Sequence, residues 1–86
     1  MFSIEYKYFL QAAKDLSLRR ASVNLNVNSS AVVRQIKKLE YNIDCKLFLR
    51  NSRGLILTNE GNLLFSFLSE QTNKIDNFNK DFIIEK

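Results

Sequence analysis

The amino-acid sequence predicts a mainly α-helical fold: three helices, the last two forming a helix-turn-helix, then a two-stranded β-hairpin and a long C-terminal helix. Three observations lead to this prediction. Apolar residues recur every three or four positions through residues 3–43, two short apolar segments then flank a turn that contains Gly54, and helical spacing resumes from residue 59. With 86 residues and 45% hydrophobic content, the chain can build one small core.

The first helix is expected over residues 3–15. Its aromatic residues recur at helical spacing together with smaller apolar residues, which indicates packing in a core rather than stacking on a partner. The residues predicted to face inward are Tyr6, Phe9, Leu10 and Ala13.

A helix-turn-helix is expected over residues 17–43. Ser17 and Asn28 each precede a helical pattern and can cap its first turn, and a two-residue break separates the two helices. Asp44 follows the second helix and tolerates the left-handed conformation that often ends a helix. The residues predicted to face inward are Leu18, Ala21 and Leu25 in the first of these helices and Val32, Ile36, Leu39 and Ile43 in the second.

The outward side of that second helix carries three cations and no anion. Residues 16–58 contain eight Lys and Arg against two Asp and Glu, whereas the rest of the chain contains five and seven. A basic middle segment is typical of a surface that binds nucleic acid, and such a helix face suits the DNA major groove. Charge alone leaves open a solvated basic face with no polyanionic partner. The outward residues are Ser29, Ser30, Val33, Arg34, Lys37 and Lys38.

The predicted β-hairpin consists of residues 46–50 and 55–58, joined by a turn that contains Gly54. A hairpin directly after a basic helix would be a wing. Arg50 and Arg53 lie near or in its tip, where they could reach phosphates or an adjacent minor groove. An ordinary hairpin with exposed arginines that serve solubility is the alternative.

The C-terminal helix is expected to begin after Thr58, a good N-cap, and to serve dimerisation. A small core can cover its first turns, but so much apolar surface farther along needs a partner. We therefore expect a winged helix-turn-helix domain in residues 1–58 and a dimerisation helix in residues 59–86. The residues assigned to the homodimer interface are Leu64, Leu68, Ile75, Phe78 and Phe82.

Several classes of function are not supported by the composition. The chain has no histidine, a single cysteine and no glycine-rich phosphate loop, so we expect neither an enzyme nor a bound metal or cofactor. No apolar segment approaches the length of a membrane span, and the N-terminus lacks the features of a secretory signal. A cytoplasmic protein without a membrane partner is expected.

The segments YFLQAAKDLSLRRAS, RQIKKLE and KLFLRNSRGLILTNEG follow one another in an order and spacing that resemble the N-terminal DNA-binding domain of LysR-type transcriptional regulators. The resemblance covers nearly the whole chain. It implies a bacterial, nucleoid-associated regulator that binds double-stranded DNA through a winged helix-turn-helix and pairs through the following helix, usually antiparallel. Most members continue into a ligand-sensing domain, which these residues do not include, so no small-molecule effector is expected for this chain.

The chain departs from the family pattern where sequence is read. Ser29, Ser30 and Val33 stand where the family commonly has Gln, Pro and Ser, and Asp44 stands in place of a usual Gly. We assign base contacts to Ser29, Ser30, Val33 and Arg34, and phosphate or groove contacts to Ser17, Arg19, Arg20, Lys37, Lys38, Arg50 and Arg53. The alternative is a dimerising protein-interaction module, or a shortened regulator, without specific DNA recognition.

Overall fold

The structure, a computed structural model, describes the backbone of residues 3–84 and the side chains of residues 3–76. Its elements follow in the order expected from the sequence, which confirms the mainly α-helical winged helix-turn-helix with a long C-terminal helix. They are α1 (Ile4–Asp15), α2 (Leu18–Leu25), α3 (Ser29–Ile43), β1 (Phe48–Asn51), β2 (Gly54–Leu57) and α4 (Asn59–Ile84).

The helix ends follow from local chemistry. The Ser17 hydroxyl accepts a hydrogen bond from the Arg20 N–H at the start of α2, and the Asn28 side chain accepts one from the Ala31 N–H at the start of α3. Both predicted caps are therefore confirmed. Asp44 closes α3 in the left-handed conformation with φ 56°, as expected for a residue that tolerates it.

One core holds α1, α2, α3 and the hairpin together. Phe9, Val32 and Leu47 are its largest fully buried side chains, and the rings of Phe9 and Phe48 lie 5.4 Å apart between centroids. The prediction for Ile43 was wrong: this side chain is 37% exposed. It is the last residue of α3 and lies one turn beyond Leu39, the last residue of that helix that the core buries.

The wing is an antiparallel pair in which Phe48 lies opposite Leu57 and Arg50 opposite Leu55. Gly54 begins β2 with φ +132°, and a Cβ there would lie 2.9 Å from the carbonyl oxygen of Leu16. Glycine is therefore required for both its conformation and its lack of a side chain. The Leu55 N–H donates to the same oxygen at 3.3 Å, so the α1–α2 turn supports one side of the wing.

α4 begins as predicted at a Thr58 cap, whose hydroxyl accepts a hydrogen bond from the Gly61 N–H at 2.9 Å. A Cβ on Gly61 would collide with the Leu47 carbonyl oxygen, which shows how closely α4 packs on the start of the wing. The next turns of α4 also pack against the core. Leu68 is only 3% exposed, and Leu64 packs against the same core.

The assignment of Leu68 to a dimer interface is corrected by this burial, because a side chain inside its own core offers no surface to a partner. Among the described side chains of α4, the exposed apolar residues lie on another side of the helix, where Leu63 is 73% exposed and Phe67 is 57% exposed. Ile75 is half-buried. Phe78 and Phe82 lie outside the described side chains.

Candidate nucleic-acid interface

The outer face of α3 presents the residues expected to read bases, though in unequal ways. Ser30 and Arg34 are exposed, and the Ser30 hydroxyl donates to the Asn28 side chain at 2.7 Å. The Ser29 hydroxyl donates to Ser22 of α2 at 3.4 Å, so part of its hydrogen-bonding capacity is used inside the protein. Both hydroxyls keep acceptor capacity, and the exposed Arg34 guanidinium offers a fork of N–H donors.

Val33 and Lys37 turn toward the wing. Together with Arg50 they line a groove of about 330 Å³ between α3 and the hairpin. Val33 is half-buried there, whereas Lys37 and Arg50 are exposed. The groove therefore joins the cations of the helix to those of the wing on one continuous surface.

Arg53 lies in the turn of the wing. Its N–H donates to the Asn51 side chain at 2.9 Å, which shapes the turn, and its own side chain is exposed. Arg50 lies on the strand opposite Leu55, so it projects from the wing face that borders α3. The structure thus brings Arg50 to the groove beside Lys37 of α3, while Arg53 is exposed in the turn of the same hairpin.

Lys38 differs from the other cations of α3. Its ammonium nitrogen lies 3.3 Å from a carboxylate oxygen of Glu5 in α1, so it sits at the edge of the outer face, against the first helix. A hydrogen bond from the Ser3 side chain lowers the pKa of Glu5, and its own backbone N–H and Lys38 add to the effect. Lys38 is therefore shared between this pair and solvent.

The start of α2 supplies a second cationic position. Arg19 and Arg20 are exposed there, and Ser17 is half-buried with its hydroxyl engaged as the helix cap. First-turn N–H groups without helical partners give such a helix end a partial positive charge that favours phosphate. The Ser17 hydroxyl therefore already accepts a hydrogen bond within α2, from the Arg20 N–H.

Two residues at this surface, Tyr41 and Glu40, are not among the site residues predicted from the sequence. Tyr41 is 85% exposed and lies four and seven residues after Lys37 and Arg34, so helical spacing alone could have placed it on the same face. Glu40 was counted only as an anion. Its carboxylate binds backbone N–H groups seven and eight residues farther along the chain, and no local pattern signals such a contact.

Within the described residues, no three His, Cys, Asp or Glu side chains gather closely enough to hold a metal ion. Among the same residues, no helix is long and apolar enough to cross a membrane.

Residues 5–62 match the model of the bacterial regulatory helix-turn-helix proteins of the lysR family. The chain belongs to this family. It is a LysR-type DNA-binding domain, and the family is one of transcription regulators rather than enzymes. The predicted resemblance is thereby confirmed.

Individual relatives agree with the family assignment. The chain is 42% identical over 82 residues to the HTH-type transcriptional activator AmpR of Yersinia enterocolitica, matching 91% of this chain and 28% of that protein. A LysR-family regulator from Eggerthella lenta is 32% identical, with a TM-score of 0.73 over 80% of this chain and 99% of that one. The chain therefore spans less than a third of the length of the curated relative.

The fold also matches a domain crystallised on DNA. The BenM DNA-binding domain, in its complex with benA site 1 DNA, superposes with a TM-score of 0.84 over 100% of both chains at 22% identity. At that identity, the likeness supports the fold.

Proposed function

We propose that this chain binds double-stranded DNA as a homodimer, with α3 in the major groove and the wing at the neighbouring groove. The observation that carries the proposal is the shared surface of helix and wing. Lys37 and Arg50 line one groove, with Arg34 exposed on the helix and Arg53 exposed in the turn. Cations on two elements at a common surface suit a polyanion that passes across both.

The contacts divide by chemistry. Arg34 has the fork of donors that pairs with guanine, and Ser30 lies beside it near the start of α3, so we assign base reading to this end of the helix. Val33 offers an apolar contact of the kind that a thymine methyl accepts. Lys37 and the exposed Tyr41 are assigned to phosphates. Ser29 keeps its proposed contact with a base. The remaining residues, which are proposed to contact phosphates or a groove, are Ser17, Arg19, Arg20, Lys38, Arg50 and Arg53.

The wing contact is tested by Arg53→Ala, with Lys74→Ala as the matched control. Lys74 is an exposed cation on α4 that lies 4.0 Å from a carboxylate oxygen of Glu70 and does not line the groove between α3 and the wing. Fluorescence anisotropy of labelled duplexes over a salt series measures both affinity and its salt dependence. Arg53→Ala should weaken binding to every sequence and lower the slope of log K against log salt by about one. The control should leave both unchanged.

An Arg53→Ala slope equal to that of the parent would remove the wing from the interface. If no duplex keeps specific binding of the parent chain as salt is raised, the alternative of a dimerising module without specific DNA recognition is favoured instead.

We further propose that residues 59–86 pair two protomers, while residues 1–58 contact DNA. Support comes from the exposed apolar side of α4, where Leu63 and Phe67 lie four residues apart with little protein around them. Ile75 lies about two turns beyond Leu68 on the same side of the helix and is proposed to contact the partner there. Leu64 is only partly covered by the core of its own chain, so it can lie at the edge of the dimer interface. Phe78 and Phe82 keep their assignment from the sequence.

The dimer proposal is tested by sedimentation of Phe67→Glu against Ser66→Glu. Both place a carboxylate at an exposed site in the same turn of α4, but only the first removes an apolar side chain. Phe67→Glu should be monomeric at concentrations where the parent and Ser66→Glu are dimeric. A monomeric parent at tens of micromolar would contradict the proposal.

Because its proposed partner is genomic DNA, we place the protein in the bacterial cytoplasm, on the nucleoid.

A further inference from the structure

The groove between α3 and the wing contains one acidic residue among the side chains that line it, Glu40. An anion on a surface that faces phosphates weakens DNA binding by simple repulsion. Its place on such a surface therefore calls for a compensating role.

The Glu40 carboxylate is directed toward the backbone at the start of the wing. One of its oxygens accepts hydrogen bonds from the Leu47 N–H at 2.7 Å and from the Phe48 N–H at 3.3 Å. These contacts are partly buried, and a carboxylate that accepts from backbone N–H groups makes bonds stronger than those between neutral groups. Glu40 thus ties the last turns of α3 directly to the first residues of the hairpin.

The segment that Glu40 holds is also where the hairpin closes. The Leu47 carbonyl accepts from the Thr58 N–H at 3.0 Å, and the Thr58 hydroxyl donates to the Lys46 carbonyl at 2.6 Å. Both ends of the hairpin therefore meet at the point that Glu40 fixes. A separate hydrogen bond, from the Leu55 N–H to the Leu16 carbonyl, joins the wing to the α1–α2 turn and does not involve α3.

We infer that Glu40 is a positioning residue for DNA binding: it sets the wing against α3, so that Arg50 and Arg53 engage the same duplex as Arg34 and Lys37. The inference rests on the proposed wing contact with DNA. It explains why an acid is placed inside a basic groove, since the carboxylate faces N–H groups rather than phosphates.

The test compares Glu40→Gln with Glu40→Met. Both substitutions remove the charge, and both residues are unbranched and favour helix, but only Gln keeps an oxygen that can accept from Leu47 and Phe48. Charge removal alone predicts tighter DNA binding by both variants. With a positioning role, Glu40→Gln should bind at least as tightly as the parent, whereas Glu40→Met should bind about three- to tenfold more weakly than Glu40→Gln.

Two further readouts separate positioning from general loss of stability. Arg53→Ala should weaken DNA binding less in the Glu40→Met background than in the Glu40→Gln background, because a displaced wing has less contact to lose. In the free chain, the Leu47 and Phe48 amides should exchange hydrogen faster in Glu40→Met than in Glu40→Gln, while amides of α1 exchange equally in both.

Equal affinities for the two variants, with an undiminished effect of Arg53→Ala in each, would overturn the inference and leave the wing contact intact. If Arg53→Ala has no effect even in the parent, the wing contact fails, and the role of Glu40 in DNA binding fails with it.

Discussion

Replacing Leu68 by Ala tests whether the first turns of α4 belong to the core of the chain or to a partner. Leu68 is 3% exposed within a single chain, so the substitution leaves a cavity that Leu64 and Phe65 can fill only in part. Buried Leu→Ala changes cost about 2–5 kcal/mol, and we take about 3 kcal/mol for this site on a helix at the edge of the core. For a domain of this size, that loss lowers the Tm by about 12–24 °C.

The assay is thermal unfolding followed by circular dichroism at several protein concentrations, with Leu63→Ala as the matched control. Leu63 lies on the same helix but is 73% exposed, so its loss should change the stability of one chain by less than about 0.5 kcal/mol. Leu68→Ala should lower the Tm by the same amount at every concentration. Leu63→Ala should act through the dimer, so its effect should depend on concentration. A Leu68→Ala variant within two or so degrees of the parent would refute the core assignment.

Three further predictions concern recognition, folding and pH. Val33→Ala should alter preference among DNA sites, measured by competition with a panel of duplexes, and equal losses on every duplex would count against base reading by this residue. Asn28→Ala removes the cap of α3 and should lower the free energy of unfolding by about 1 kcal/mol in urea, whereas an unchanged midpoint would show that the cap is dispensable. Hydrogen bonds from Gln11 and then Asn24 lower the pKa of Asp15 from 3.8, so its carboxylate stabilises the fold above pH 3.8 and loses this effect as the pH falls through the lowered value. Asp15→Asn should therefore show a smaller fall in Tm on acidification below that pH than the parent does, and an identical acid profile would contradict the role.

The features that the sequence predicts best depend on neighbouring residues. Ser17, Asn28 and Thr58 cap helices through N–H groups three residues away, and apolar spacing within one helix identifies most of the core. Because these interactions are local, their signals lie in a short stretch of sequence.

Other features depend on contacts between elements that are far apart in the sequence. These features could not be predicted from the sequence alone. Ile43 and Leu68 both follow the apolar pattern of their helices. Ile43 nevertheless lies beyond the core, whereas Leu68 is buried inside it. Lys38 pairs with a carboxylate of α1, and Glu40 with the start of the wing. Spacing within one helix cannot show which partner a polar side chain meets across the fold.

Selection of bound duplexes from a random DNA pool tests the central claim of sequence-directed binding by a dimer most directly. The pairing of two protomers, each with α3 in the major groove, should enrich a site with two-fold symmetry, its half-sites separated by about one helical turn or a multiple of it. Recovery of the pool without any enriched sequence would contradict base reading by α3, and enrichment of a single unsymmetrical half-site would contradict the dimer.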